Sequence, residues 1–224
     1  MQLEAKNLGF GYHKDKWIFK HISLTIESGE VVGLTGNSGC GKTTLAKVLA
    51  GYETPREGKV ILSGNDKPIS GYNPVQLIFQ HPEKSVNPRW RIRDSVNEGW
   101  QVDKDLLKRL GIEAAWMDRW PNELSGGELQ RFCVARALSP DTRFIIADEM
   151  TTMLDAITQA QIWSVVLELA KERNMGILLV SHEEKLVNRI CDRVIDLEAQ
   201  MGYCENPGFS PQKKTAGPLL APVE

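Results

Sequence analysis

The chain has 224 residues, 42% of them hydrophobic, enough to build one large domain or a domain that carries an inserted subdomain. Lys and Arg number 27 against 29 Asp and Glu, so no whole-surface charge draws the chain to nucleic acid or to an anionic membrane, and a partner must be met by a local site. The stretch MQLEAKNLGFGYHK lacks the apolar centre of a signal peptide, no run approaches the roughly 18 apolar residues of a membrane span, and Cys40, Cys133, Cys191 and Cys204 form no CxxC pair; the expectation is a cytosolic chain with reduced, mostly buried thiols and no zinc or redox site.

Ile22, Leu24 and Ile26 alternate with polar neighbours and predict a half-buried strand, closed by the turn at Glu27 to Glu30 and paired antiparallel with the Leu3 to Phe10 stretch. Val31 to Thr35 is a short apolar run that leads into a glycine loop and a helix from Thr43 to Ala50, which Gly51 ends. Apolar runs at Val75 to Phe79, Phe144 to Ala147 and Gly176 to Val180 lack alternation, as expected of strands covered on both faces in a parallel sheet. A helix is predicted over Ala156 to Arg173. Between these strands, over about 81–140, the chain turns polar and helical and holds four of the six tryptophans, Trp90, Trp100, Trp116 and Trp120. This segment reads as an inserted helical subdomain, its tryptophans serving either a docking face or a small helical core. From Gly202 the chain is rich in Pro, Gly and polar residues and reads as a short, loosely ordered tail, 202–224.

The loop Gly36-Asn37-Ser38-Gly39-Cys40-Gly41-Lys42-Thr43-Thr44 follows the spacing GxxxxGKT. Its glycines let successive backbone N–H groups turn toward one anion, and the helix that starts there adds the positive end of its dipole. Lys42 suits the β and γ phosphates of a nucleotide, and the Thr43 hydroxyl suits Mg²⁺, a hard cation that takes oxygen ligands. Further on, RFIIADE has the form of a buried strand that ends in Asp148 and Glu149. Adjacent strand residues face opposite ways, so one carboxylate is expected to support the metal and the other to orient or deprotonate an attacking water.

A second glycine turn, LSGGELQR, lies far down the chain. Ser125 and Glu128 are spaced as a capping box, which accounts for a helix start but not for Gly126 and Gly127. Each glycine costs of the order of 1 kcal/mol in helix propensity, so the pair fits a backbone that something must approach closely.

With the phosphate loop, the carboxylate strand, LSGGE and a later His182 in this order, the chain resembles the ATP-binding subunit of an ABC transporter over about Leu3 to Leu197. The resemblance implies an α/β fold: a P-loop NTPase core with a mainly parallel sheet, an antiparallel N-terminal β subdomain and an inserted helical subdomain, together an ABC ATP-binding domain over 1–201. It implies hydrolysis of ATP with Mg²⁺. Two such subunits would pair head to tail, so that Ser125, Gly126, Gly127 and Glu128 of one meet the γ-phosphate held by the other. Tyr12 matches the aromatic residue that stacks on adenine, and Gln80 the glutamine that meets Mg²⁺ and the attacking water. Asp155 matches the aspartate at the dimer seam, and His182 the histidine at the γ-phosphate. Glu128 stands where the family often has Gln, Met150 where it has Pro, and Met153 where it has a small residue, the last two bearing on the geometry of the turn before Asp155.

FQHPEKSVNPR, at Phe79 to Arg89, is similar to the oligopeptide, dipeptide and nickel importer branch. That branch implies a second ATP-binding subunit, more often different than identical, two membrane permease subunits and an extracytoplasmic substrate-binding protein, with this chain peripheral on the cytoplasmic face of the membrane and no nucleic acid partner. The alternatives are a soluble ABC ATPase of DNA repair or translation, which would need a coiled-coil or zinc insertion or a second cassette, and a P-loop kinase or GTPase, which leaves LSGGELQR and His182 unexplained. An inactive scaffold subunit is opposed by the full set of motif residues.

Overall fold

The computed structural model describes residues 1–14, 16–63 and 71–201. The expected tail at 202–224, with Cys204, lies outside the described residues. In chain order the strands are β1 (Gln2–Phe10), β2 (Phe19–Glu27), β3 (Val31–Thr35), β4 (Glu57–Leu62), β5 (Val75–Ile78), β6 (Phe144–Asp148), β7 (Gly176–Val180) and β8 (Arg193–Asp196). The helices are α1 (Lys42–Leu49), α2 (Ile92–Val96), α3 (Lys104–Arg109), α4 (Gly126–Ala137), α5 (Ala156–Arg173), α6 (Glu184–Ile190) and α7 (Leu197–Gln200). They form two compact units, Met1–Pro68 with Gly176–Glu224, and Ile69–Met175.

In the first unit the alternation of Ile22, Leu24 and Ile26 does what it predicts. These residues are buried, and they pair across an antiparallel ladder with Leu8, Ala5 and Leu3. The other edge of β1 takes β4, with Leu3 opposite Leu62. The sequence does not announce β4, because only Ile61 is fully buried and two exposed residues break its alternation. The parallel part of the unit is β3 between β7 and β8, with Leu34 opposite Val180 and Thr35 opposite Asp196. β7 is buried throughout, as its unbroken apolar run requires. β8 is polar by comparison and is held at its start by tertiary contacts. Arg193 Nε donates to Glu30 Oε1 at 2.6 Å, and Asp192 Oδ2 accepts from the Val31 N–H at 2.8 Å.

In the second unit β5 and β6 pair in parallel, from Val75 opposite Phe144 to Ile78 opposite Ala147. The predicted helical insert is a series of short helical segments before α4, with no strand among them. Its tryptophans differ in surroundings. Trp100 donates its indole N–H to the Arg136 carbonyl at 2.8 Å, and Trp116 meets Phe132 edge-on at 6.4 Å. Trp90 and Trp120 are instead 40% and 38% exposed. α5 starts and stops where the sequence places it, because Asp155 caps its first turn and Asn174, at φ 53°, turns the chain out of the helix. Among the described residues no helix is long and apolar enough to cross a membrane. The mainly parallel α/β core with a separate antiparallel sheet is the fold class expected from the sequence.

Candidate functional site

In the first unit, parallel strands end at one level, and their carboxyl ends gather the residues singled out by the sequence. β3 runs out into the glycine loop at Gly36, β7 into Ser181 and His182, and β8 into α7. Gly41 caps α1 at φ 104°, and a Cβ there would lie 2.7 Å from Ile18 Cγ2. Gly36 has φ 141°, and a Cβ would sit 2.9 Å from Cys40 Sγ. Side chains are thus excluded both by backbone conformation and by space. The first turn of α1 holds no acidic residue, so no side chain of that turn opposes an anion at this helix start. Lys42 curls back over the loop, its Nζ donating to the carbonyls of Gly36 and Asn37 at 2.8 Å each. Asn37, Ser38, Gly39 and Thr43 are exposed, Cys40 and Thr44 half-buried, and His182 is exposed just beyond β7. Tyr12 is 53% exposed and packs edge-on against Phe10 at 5.1 Å, which leaves a ring face for a ligand.

The second unit explains why Gln80 and Glu149 belong together. Ile78 faces Ala147 in the β5–β6 register, so Gln80 and Glu149, each two residues beyond that pair, leave the sheet side by side. Gln80 Nε2 donates to Glu149 Oε2 at 2.8 Å. One part of the sequence expectation is corrected here. Glu149 does not lie on the strand: β6 ends at Asp148, and Glu149 takes φ 49°, a left-handed conformation unusual for glutamate. The two carboxylates are therefore separated by a backbone turn rather than by strand alternation. Thr152 fixes that turn, its N–H and hydroxyl both donating to the Glu149 carbonyl, at 3.3 and 3.0 Å. Asp148 is only 4% exposed at the strand end, while Glu149 is half-buried.

LSGGELQR forms the predicted capping box. Ser125 Oγ accepts from the Glu128 N–H at 3.2 Å, and Glu128 Oε2 accepts from the Ser125 N–H at 2.7 Å. That second bond holds the Glu128 carboxyl below the usual glutamate range. A carboxyl with a depressed folded pKa stabilises α4 above the ordinary glutamate value and loses that contribution as pH falls through the depressed one. Glu128→Ala should accordingly weaken the start of α4 at neutral pH, by up to about 1 kcal/mol once solvent screening of this exposed group is allowed for, and by less at strongly acidic pH, where the neutral carboxyl is a weaker acceptor. Amide exchange of the first turn of α4, measured against pH in both proteins, checks this. Ser125 and Gly126 are exposed, and a Cβ on Gly126 would meet nothing within 4 Å. The chain's own packing therefore does not ask for glycine at Gly126.

Asp155 is engaged by its own helix, its Oδ1 accepting from Ile157 and Thr158 N–H at 3.0 Å each, and the Thr158 bond foremost holds its carboxyl below the ordinary range. Met150 is buried, whereas Met153 is 62% exposed beside it. Burial pushes the Cys133 thiol up to about 11 and Cys191 up to about 12, so both remain protonated hydrophobes. Sequence reading missed two contributors. Thr152 buttresses Glu149, and Glu198, on α7, accepts from the Asn37 N–H at 3.2 Å and so holds the phosphate loop from outside. Neither lies in a motif; only the folded chain brings residues 37 and 198 together.

Comparison with known proteins follows the same lines. The family model of the ABC transporter matches residues 19–152. The nickel import ATP-binding protein NikE of Escherichia coli (strain K12) is 33% identical over 209 residues, covering 84% of this chain and 77% of the relative. NikE of Rhodospirillum rubrum is 35% identical over 204 residues, covering 82% and 73%. Of solved structures, the dimeric bacterial ABC transporter cassette MJ0796 superposes with a TM-score of 0.73 at 25% identity, covering 87% of this chain and 93% of that one. CbiO1 of Clostridium perfringens, part of the ABC transporter complex cbiONQ, gives a TM-score of 0.70 at 26% identity, covering 87% and 83%.

Proposed function

The chain belongs to the ATP-binding subunits of ABC transporters and is an ATPase, and from that premise we propose that it powers an importer of nickel or peptides by pairing head to tail with a second ATP-binding subunit. Residues 1–201 serve as the ABC ATP-binding domain, with about 81–140 as its helical insert. The observation that carries the pairing is the exposure at the start of α4. Ser125 and Gly126 are exposed, and Gly126 has open space where a side chain would be, so another molecule's anion can reach the backbone N–H groups. The γ-phosphate on the partner's loop is that anion. The two relatives are named for nickel import, which supports import as the direction of transport and nickel as one candidate cargo.

In the hydrolytic step Glu149 accepts a proton from the attacking water, with Gln80 and Thr152 holding its carboxylate and backbone in place. Lys42 exchanges the loop carbonyls it now meets for phosphate oxygens, and His182, at the end of β7, contacts the γ-phosphate. Mg²⁺ fits the donors present. The Thr43 hydroxyl in the first unit, and the Asp148 carboxylate and Gln80 side-chain oxygen in the second, are each hard oxygen donors that would suit Mg²⁺, which takes few protein groups when phosphate and water complete its shell. When bound, the metal would supply neutralisation of charge that develops on the phosphates. Tyr12 offers its open ring to adenine.

Two membrane permease subunits, fed by an extracytoplasmic binding protein, would hold the chain on the cytoplasmic face of the membrane. Their docking point is a groove of about 470 Å³ lined by Trp90, Arg93, Asp94, Asn97 and Glu98. The exposed Trp90 is the anchor, whereas Trp100 packs inward. Trp90→Glu should abolish co-purification with any permease that the wild-type chain retains and leave ATP affinity within about twofold, since buried aromatic anchors carry roughly 2 kcal/mol or more of an interface. Retained co-purification would overturn this docking surface, and the absence of any permease that co-purifies with the wild-type chain would overturn the importer reading.

A further inference from the structure

Gln130 lies on α4 at 2% exposure, and its amide is satisfied at one end only. Nε2 donates to the Phe79 carbonyl at 3.2 Å, while Oε1 is buried without a hydrogen-bond partner among the described residues. As a core filler, glutamine is poor, since Leu or Met of similar volume would bury no unpaired oxygen. What the amide does achieve is a hold on the peptide unit that leads into Gln80. One turn later on the same face of α4, the Cys133 thiol donates to the Pro82 carbonyl at 3.8 Å. α4 therefore grips the segment 79–82 on both sides of Gln80, whose own side chain goes to Glu149.

We infer that Gln130 is a positioning residue for hydrolysis, which ties the helix bearing Ser125, Gly126 and Gly127 to the Gln80–Glu149 pair. The chain of contacts runs from α4 through Gln130 Nε2 to Phe79 O, along one peptide to Gln80, and across 2.8 Å to the Glu149 carboxylate. A displacement of α4, such as engagement of its start by a partner's phosphate, shifts the amide that orients Glu149 in the same subunit. The inference rests on the proposed role of Gln80 and Glu149 in hydrolysis.

A double-mutant cycle on the full chain tests it, with steady-state ATP hydrolysis and thermal unfolding measured for Gln130→Met, Gln80→Ala and both together. Gln130→Met is expected to lower kcat about five- to tenfold, keep KM within about twofold and shift the thermal midpoint by only a few degrees. Because Gln130 acts through Gln80, adding Gln130→Met to Gln80→Ala should lower kcat by less than about twofold further. A merely structural glutamine would lower stability in both backgrounds alike and give multiplying losses. An unchanged kcat in Gln130→Met, or independent losses in the double variant, overturns the inference while leaving the hydrolytic reading intact. Wild-type kcat in Gln80→Ala overturns that reading and the inference with it. Gln130→Leu, which also lacks the donor, gives the same test if Met packs poorly.

Discussion

Glu149→Gln is expected to bind ATP, to hydrolyse it about 10² to 10⁴ times more slowly, and to accumulate as a closed dimer. The substituted side chain keeps the size of glutamate, and its amide oxygen can still accept from Gln80 Nε2, which now meets Glu149 Oε2 at 2.8 Å. Local geometry is therefore preserved while the capacity to take a proton from water is removed. Loss of one negative charge near the γ-phosphate also weakens a repulsion that opposes closure, and more strongly in a water-poor seam than in bulk solvent. Adding Ser125→Arg should abolish the dimer. The capping bond from Glu128 N–H is lost and a bulky cation covers the exposed helix start that the partner's phosphate must reach. Size-exclusion chromatography with and without ATP decides both points, run on this chain alone and mixed with any second ATP-binding subunit encoded beside it. Wild-type turnover by Glu149→Gln would remove Glu149 from the chemistry. A dimer that survives Ser125→Arg would reduce LSGGELQR to a helix cap.

Lys42→Ala should lower ATP affinity roughly ten- to a hundredfold, the loss of one charge-assisted bond to phosphate worth about 1.5–3 kcal/mol. Two further bonds go with it, because Lys42 Nζ closes the loop onto the Gly36 and Asn37 carbonyls. The loop is still held by Glu198 at the Asn37 N–H and by the conformations of Gly36 and Gly41, so the fold should persist. Titration of a fluorescent ATP analogue, with circular dichroism as the fold control, makes the comparison. Equal affinities in two folded proteins would contradict the assignment of this loop to nucleotide.

Local features were legible because each rests on a short-range rule. The glycine loop follows from residues that alone tolerate its backbone angles, and the box at Ser125 and Glu128 from a spacing of three along one helix. The ends of α5 follow from Asp155 and Asn174, and β7 from an apolar run that only a doubly covered strand sustains. β4 and β8 were not legible, since what places them lies far away in sequence: β4 pairs with β1, Leu62 opposite Leu3, and Arg193 at the start of β8 is held by Glu30.

The sequence by itself determined the family, the phosphate loop, the carboxylate strand and the helix start at LSGGE, for these are patterns of residue type at fixed spacing. Only the tertiary structure decided which of those residues meet. The β5–β6 register sets Gln80 against Glu149, a left-handed turn at Glu149 takes it off the strand that sequence alternation assigned it to, and α4 reaches the peptide before Gln80 through one buried amide. Register, backbone handedness and the direction of a buried side chain depend on contacts between segments tens of residues apart, and no local spacing encodes them.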